Sequence, residues 1–168
     1  MVNTGPTVPA EFHLYVDGSY DPTEGRGGWG VLVVRDSAEV TRHCGSLICA
    51  DSSKPELVAV LAAARWLEQN AAGEVAIIWS DSIYAVNGCN RWRHIWRTNR
   101  WRKRTPNGNG RSRNVANKEI WKLIDLHLSK NETISVQWCK GHAGLEWNES
   151  ADDLARRALS LPSASVSS

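Results

Sequence analysis

The chain has 168 residues, of which 42% are hydrophobic and 23% charged, with a net charge of +2, and this suits a single domain with one buried core. No run of roughly 18 to 20 apolar residues is present, which argues against a membrane span. The first ten residues lack a signal-like pattern, which argues against a secretory leader. The four cysteines lack C-x-x-C spacing, which argues against a disulfide scaffold. We therefore expect a cytoplasmic protein with free thiols and no membrane contact.

The first third of the chain has the pattern of an antiparallel sheet. Residues Phe12 to Ser19 alternate in polarity, a Gly-rich turn follows at 25 to 30, and Val31 to Val34 is an apolar run. A third strand is predicted over Val40 to Ile48, so short connections join three strands into a meander. Residues 1 to 10 are small and polar, which predicts a disordered N-terminal tail.

Helices and strands alternate over the rest of the chain. The predicted elements are a helix over Pro55 to Asn70, a strand over Val75 to Trp79, a helix over Asp81 to Gly88 capped by Asp81 or Ser82, a helix over Asn117 to Leu128, a strand over Ile134 to Trp138 and a closing helix over Asn148 to Leu159. This order predicts an α/β fold, with a mixed five-stranded sheet of three antiparallel strands followed by parallel strands, flanked by helices. The domain should span residues 11 to 160, followed by a second disordered tail over 161 to 168.

Residues 91 to 114 form a segment that we call the basic arm. No Asp or Glu lies between Asp81 and Glu119, and that interval holds ten of the 20 Lys and Arg residues, which leaves a net charge of −8 on the remainder. The i, i+4 spacing of Trp92 and Trp96 is typical of a packed helix face. The arginines on the other face favour a polyanion held through its phosphates, with a solvated basic surface as the alternative.

Four acidic residues stand where predicted strands end or helices begin: Asp17, Glu56, Asp81 and Asp152. Sites form at the strand ends of open sheets. The helix dipole alone would explain Glu56 and Asp81, because a carboxylate near a helix start is stabilised there. Asp17 follows an apolar stretch inside a strand, where a carboxylate needs a partner or a metal ion.

Five short motifs run through residues 11 to 160. They are Tyr15-Val16-Asp17-Gly18-Ser19, Glu56-Leu57, Trp79-Ser80-Asp81-Ser82, Lys140-Gly141-His142-Ala143-Gly144 and Asn148-Glu149-Ser150-Ala151-Asp152-Asp153-Leu154-Ala155. On their order and spacing the chain resembles the type 1 ribonuclease H family, and the basic arm resembles the handle of its bacterial and cellular branch. The resemblance implies a hydrolase, an endonuclease that cuts the RNA strand of RNA-DNA hybrids and leaves 5′-phosphate and 3′-hydroxyl ends.

By the same resemblance Asp17, Glu56, Asp81 and Asp152 are the catalytic carboxylates and the metal ligands. Carboxylate oxygens suit Mg²⁺, and two ions are implied, with Asp17 bridging them and Mn²⁺ as a second metal that supports activity. His142 lies in a loop with two glycines, and the resemblance implies that it assists proton transfer or product release. An ordinary exposed histidine is the alternative.

The residues expected to bind the hybrid are spread over the site and the basic arm. They are Gly18, Ser19, Ser53, Trp92, Arg93, Arg97, Arg100, Arg102, Lys103, Arg104 and Asn148. The chain departs from similar enzymes at Thr23, Ser52 or Ser53, and Ile83, where asparagine or glutamine usually touches the RNA 2′-hydroxyls or the DNA strand. Strand recognition is therefore expected to differ, while the cutting chemistry is retained.

The leading prediction is a free-standing hybrid ribonuclease that acts as a monomer without an obligate protein partner. A ribonuclease H domain of a reverse transcriptase is the second interpretation, which the basic arm and the short tails disfavour. The third is a hybrid-binding module with the same fold and weak turnover, and the presence of all four acids and His142 argues against it. A transposase or resolvase nuclease would share the fold but lack the last motif and the arm.

Overall fold

The computed structural model describes residues 10–104, 112–141 and 146–163. Its elements, in chain order, are β1 (Phe12–Asp21), β2 (Arg26–Arg35), β3 (Ala38–Ile48), α1 (Ser53–Asn70), β4 (Ala76–Ser80), α2 (Ile83–Asn87), a π-helical turn (Gly88–Trp92), α3 (Arg93–Thr98), β5 (Arg102–Arg104), β6 (Ser112–Asn114), α4 (Lys118–Lys130), β7 (Ile134–Trp138) and α5 (Glu146–Ala158). Each of the predicted helices and strands is present, and most of their ends lie within a few residues of the predicted ones.

The five long strands form one mixed sheet in the order β3-β2-β1-β4-β7. The first three strands pair antiparallel, β4 runs parallel to β1, and β7 runs parallel to β4. This arrangement confirms the predicted α/β fold. It also places β1, the strand that carries Asp17, at the centre of the sheet.

Helices cover both faces of the sheet. A Cβ on Gly27 of β2 would meet Pro55 of α1, whereas a Cβ on the next residue, Gly28, would meet the backbone of Ala155 in α5. Because neighbouring strand residues point to opposite faces, α1 and α5 lie on opposite sides. Helix α4 packs against α1, and the hydrophobic core fills the space between these two helices and the sheet.

The segment after β4 is more irregular than the sequence predicted. The Ser82 hydroxyl accepts a hydrogen bond from the Ala85 backbone N–H, which decides the predicted cap in favour of Ser82. The predicted helix does not stop at Gly88, because a π-helical turn leads it on into α3. In the basic arm, β5 and β6 then pair as an antiparallel ribbon that the sequence analysis did not predict.

The C-terminal end of the domain lies later than predicted. The Leu161 carbonyl accepts hydrogen bonds from the Ser46 hydroxyl, at 2.7 Å, and from the Arg26 guanidinium, and Ser163 pairs with Ser46. Residues 161 to 163 are therefore attached to the sheet and do not begin a disordered tail. The other predicted tail residues, 1 to 9 and 164 to 168, lie outside the described residues.

The four cysteines are free thiols, as the sequence predicts. None of the helices in the described ranges is both long enough and apolar enough to cross a membrane.

Candidate active site

Asp17 lies in the central strand and only 4% of it is exposed. Its neighbour Gly18 allows β1 to approach α1 closely, because a Cβ there would lie 2.5 Å from the backbone nitrogen of Glu56. The missing side chain at Gly18 therefore brings the Asp17 and Glu56 carboxylates together. The Gly18 backbone N–H also donates a hydrogen bond to Asp17 Oδ1 at 2.8 Å.

Glu56 and Asp81 complete a cluster of three carboxylates with Asp17, which we call the acidic cluster. Glu56 lies in the first turn of α1, and Asp81 directly follows β4, the parallel neighbour of β1. One carboxylate oxygen of each residue lies within 4.8 Å of those of the other two. Three carboxylates at this separation suit a hard divalent cation.

The electrostatics of the acidic cluster favour a bound cation. Burial, followed by repulsion from Asp81, raises the pKa of Asp17 to about 7. Burial, followed by repulsion from Asp17 and Asp81, raises the pKa of Glu56 to about 9. Glu56 Oε2 is buried without a hydrogen-bond partner among the described residues. A divalent cation would offset the repulsion and ligate this oxygen, so the residues fit a metal ion.

Asp152, the fourth predicted ligand, lies at the rim of the acidic cluster on α5. Next to burial and Asp81, its carboxylate contributes to the raised pKa of Asp17, so the two side chains are close. It is not one of the three clustered ligands, and its Oδ2 pairs with Arg156 Nη2 at 3.0 Å. The structure thus clusters three of the four predicted ligands and gives the fourth a cationic partner.

The end of β7 and the residues that follow it contact Asp81. The Trp138 indole N–H donates a hydrogen bond to the Asp81 carbonyl at 3.3 Å. A Cβ on Gly141 would lie 2.3 Å from Asp81 Oδ2, so a side chain at position 141 would displace the carboxylate. His142, the next residue, lies outside the described residues, and its assisting role stays a prediction.

Near the acidic cluster, some of the residues predicted to bind the hybrid are exposed and one is buried. Gly18, Ser19 and Ser53 are partly exposed, although the Ser53 hydroxyl already donates to Asp51. Asn148 is 2% exposed and its Oδ1 accepts a hydrogen bond from the Cys139 thiol at 3.4 Å. The predicted contact between Asn148 and the hybrid is corrected here, because the side chain is buried and bonded to Cys139 and is not exposed to a substrate.

One face of α3 is fastened to α4. Arg93 Nη1 and Arg97 Nη1 pair with Asp125 Oδ1 at 2.7 and 3.0 Å. The Arg93 side chain is only 12% exposed, so the prediction that Arg93 contacts phosphate is corrected. Arg97 keeps 48% of its side chain exposed. Asp125 is not among the predicted site residues, although its position on the apolar side of a predicted helix is a recognisable sign of a buried acid with a partner.

The other face of α3 lines an open groove of about 470 Å³. The lining residues are Tyr84, Trp92, Ile95, Trp96, Asn99, Arg102 and Lys103. Trp96 is buried, as its spacing predicts, but Trp92 is 39% exposed and is available to a ligand. The groove therefore joins an aromatic wall to two cations, a combination that suits nucleic acid.

The remaining predicted phosphate contacts in the basic arm are Arg100, Arg102, Lys103 and Arg104. Arg100, Arg102 and Lys103 are exposed, as residues that contact phosphates must be. The Lys103 ammonium also lies 5.1 Å from the centre of the Trp96 ring. The side chain of Arg104 lies outside the described residues.

Comparisons with known proteins agree with this geometry. The sequence profile described as RNase H matches residues 9–160. Ribonuclease HI of Neisseria meningitidis serogroup B is 35% identical over 145 residues, which cover 86% of this chain and 92% of that protein. The profile match therefore spans all four acidic residues and the basic arm.

Solved structures show the same fold. LC9-RNase H1, described as a type 1 RNase H with the type 2 active-site motif, superposes with a TM-score of 0.69 at 26% identity, over 91% of this chain and 74% of that one. The protease-reverse transcriptase of prototype foamy virus superposes with a TM-score of 0.74 at 23% identity, over 90% of this chain but only 21% of that one, and this likeness concerns the fold alone. With a family profile matched over nearly the whole domain, the chain belongs to the RNase H family.

Proposed function

We propose that this protein is an endonuclease that hydrolyses the RNA strand of RNA-DNA hybrids and leaves 5′-phosphate and 3′-hydroxyl ends. The observation that carries the proposal is the acidic cluster, whose three carboxylate oxygens lie within 4.8 Å of one another in a chain of the RNase H family. The relative from Neisseria meningitidis is named ribonuclease HI.

Asp17, Glu56 and Asp81 would hold a divalent cation, and Asp152 would contribute to the binding of a second one. Mg²⁺ is the proposed ion and Mn²⁺ a substitute, because both take oxygen ligands. When bound, such ions lower the pKa of the attacking water and neutralise charge on the scissile phosphate and the leaving 3′ oxygen. Asp17, which is close to the other three acids, would contribute a ligand oxygen to this metal centre.

The protein's own residues keep this ligand set in place. Gly18 holds β1 against the first turn of α1, and Gly141 leaves room for the Asp81 carboxylate. The Arg156 guanidinium pairs with the Asp152 carboxylate, which a bound cation would compete for. Since 61% of the Arg156 side chain is exposed, giving up that ion pair costs only about 0 to 1 kcal/mol, which a divalent cation easily exceeds.

The proposed role of His142 is to assist proton transfer or product release. It follows Gly141, whose lack of a side chain lets the segment approach Asp81. Imidazole is a poorer ligand for Mg²⁺ than a carboxylate, so a helper fits the chemistry better than a fifth ligand.

The hybrid is held along the groove of the basic arm. Trp92 offers an exposed apolar surface, and the exposed side chains of Arg100, Arg102 and Lys103 beside it offer phosphate contacts that do not depend on sequence. Action as a cytoplasmic monomer without an obligate protein partner belongs to the same proposal. The reverse transcriptase interpretation has only the shared fold in its favour.

A panel of labelled duplexes tests the proposed function. RNA-DNA hybrid, duplex DNA and duplex RNA of one sequence are incubated with the protein in Mg²⁺ or in EDTA. The proposal predicts internal cleavage of the RNA in the hybrid alone, in Mg²⁺ alone. Equal cleavage of duplex RNA, or cutting of the DNA strand, would contradict it.

A further inference from the structure

We propose that Asp125 is a positioning residue for hybrid binding, which fixes the position of α3 on α4 and therefore the direction in which the basic arm presents its groove. The inference rests on the proposed function, because it concerns how the same substrate is held. Asp125 itself lies on α4 and is 6% exposed, so it does not touch the substrate.

Asp125 gathers three side chains around one carboxylate. Arg93 Nη1 donates to Oδ1 at 2.7 Å, and Arg97 Nη1 donates to Oδ1 and Oδ2 at 3.0 and 3.1 Å. The Ser129 hydroxyl lies one turn further along α4 and accepts from both guanidinium groups, at 3.1 and 3.2 Å. Two arginines on a nearly buried acid make a strong, directional attachment.

Arg93 extends this attachment to the preceding turn. Its Nε donates to the Cys89 carbonyl at 2.6 Å, while its Nη1 binds Asp125. Cys89 belongs to the π-helical turn that connects α2 with α3. A single arginine therefore joins the turn, α3 and α4, and the loss of its acidic partner would weaken the link to α4.

The second attachment point is aromatic and also lies on α4. Trp96 packs edge-on against Trp121, with ring centroids 5.2 Å apart. Trp121 lies one helical turn before Asp125. Helix α3 continues the helical segment that starts at Ile83, but the π-helical turn interrupts the regular helical register just before it, so these two points help to set its orientation.

Helical geometry links this attachment to the groove. Arg93 and Arg97 are four residues apart and lie on one side of α3, whereas Trp92, Ile95 and Asn99 line the groove on another side. If Arg93 and Arg97 were released, α3 could shift against α4 at the π-helical turn that precedes it. The aromatic wall and the cations of the groove would then no longer face the substrate together.

The substitution Asp125→Asn distinguishes a positioning role from an effect of charge alone, because the two predict changes of KM in opposite directions. Removal of a negative charge beside a basic surface should, through charge alone, strengthen the binding of a polyanion and lower KM. The positioning role predicts that KM rises by at least about three-fold while kcat stays within about two-fold of wild type, because the acidic cluster is untouched.

Two further variants serve as controls. Glu119→Gln removes one negative charge from the same helix, at a side chain that is 79% exposed and pairs only with Lys122 among the contacts described. It should leave KM unchanged or slightly lower. Asp125→Glu keeps the charge and moves the carboxylate by one methylene, so it should raise KM if position matters, and it carries the test if Asp125→Asn does not fold.

Amide hydrogen exchange gives a readout that does not depend on cleavage. In Asp125→Asn the amides of residues 93 to 98 should exchange faster, while those of β1 and β4 stay protected. Unchanged exchange together with an unchanged or lower KM would overturn the inference. If wild-type protein fails to cleave hybrid, the proposed function fails, and the exchange measurement still decides whether Asp125 fixes α3.

Discussion

Asp17 is the side chain on which the candidate site depends most, because it is buried in the central strand and close to the other three acids. We predict that Asp17→Asn abolishes cleavage, since the amide keeps the volume but removes a ligand charge. The variant should keep its fold and its affinity for hybrid. Its metal-free form should be more stable than wild type, because one repulsive charge is gone.

Three measurements check this prediction: turnover of labelled hybrid, binding of hybrid by fluorescence anisotropy, and the melting temperature in EDTA. Wild-type turnover by Asp17→Asn would show that Asp17 is not a required metal ligand. Loss of both fold and binding would show that Asp17 is needed for structure and would leave its ligand role without support.

The raised pKa values of Asp17 and Glu56 predict a pH-dependent stability. Their pKa values rise from 3.8 to about 7 and from 4.5 to about 9, so the folded protein binds more protons than the unfolded chain over this range. Stability contributed by these groups is present at low pH and is lost as pH rises through the folded values. Without metal, the melting temperature should therefore fall between pH 5 and pH 9.

Mg²⁺ should reverse this trend, because the cation binds the ionised carboxylates and stabilises the folded state. The stabilisation by saturating Mg²⁺ should be larger at pH 9 than at pH 5. Thermal melts in EDTA and in Mg²⁺ at both pH values are sufficient, with Asp17→Asn as the control that should show a weaker pH dependence. A metal-free melting temperature that rises steadily over this pH range would contradict the account.

At the scale of secondary-structure elements, the packing of α5 on β2 determines where Asp152 lies. A Cβ on Gly28 would lie 2.1 Å from the Ala155 carbonyl oxygen and 3.0 Å from the Leu159 nitrogen. Gly28→Ala should therefore push α5 outward, lower stability by about 1 to 3 kcal/mol and raise the half-saturating Mg²⁺ concentration.

Gly73→Ala is the matched control for this substitution. Its Cβ would meet nothing within 4 Å, but its φ of +82° disfavours alanine, so the variant should lose stability without a change in metal dependence. Thermal melts and Mg²⁺ titrations of activity on both variants distinguish the two effects. A Gly28→Ala protein with normal stability and normal metal dependence would show that α5 does not press on β2.

The main elements could be predicted because their patterns are local. Alternating polarity in Phe12 to Ser19 and the apolar run Ile134 to Trp138 mark strands whatever their partners are, and Pro55 marks a helix start. Asp17 could be predicted as a site residue for the same reason, since an acid in an apolar strand is unfavourable without a partner. The clustering of Asp17, Glu56 and Asp81 was expected only from the family resemblance, and the geometry is consistent with it.

The errors concern contacts between distant segments. Arg93 was expected to reach phosphate, because the sequence does not show that Asp125, 32 residues later, would bind it. Asn148 was expected to contact the substrate, because the sequence does not show that its side chain bonds to Cys139. The ribbon of β5 and β6 has only three residues in each strand, too few for alternation to be recognised.

At the scale of the whole molecule, the charge is divided between an acidic body and the basic arm. The structure shows which cations of the arm are free to act: Arg93 is engaged, whereas Arg100 and Arg102 are exposed. Replacing Arg100 and Arg102 by Ala should raise KM several-fold and reduce the slope of log KM against log salt by about 1 to 2, because each phosphate contact contributes about 0.7 to 0.9.

Arg35→Ala is the control for net charge, since Arg35 ends β2 outside the basic arm and pairs with Glu11 at 3.3 Å. It should leave the salt slope of KM unchanged. Steady-state kinetics at four or more salt concentrations give the slopes. Equal slopes for wild type and the double variant would show that Arg100 and Arg102 do not contact the hybrid.

The central claim, that the acidic cluster is a metal-dependent centre for cutting RNA in hybrids, is tested most directly by one titration. The initial rate of cleavage of labelled RNA in an RNA-DNA hybrid is measured as Mg²⁺ is raised from zero in a chelated buffer, and the new ends are identified. We predict no cleavage without metal, a saturable rise with Mg²⁺, and fragments with 3′-hydroxyl and 5′-phosphate ends. Cleavage that persists in chelator, or no cleavage at any Mg²⁺ concentration, would contradict the account.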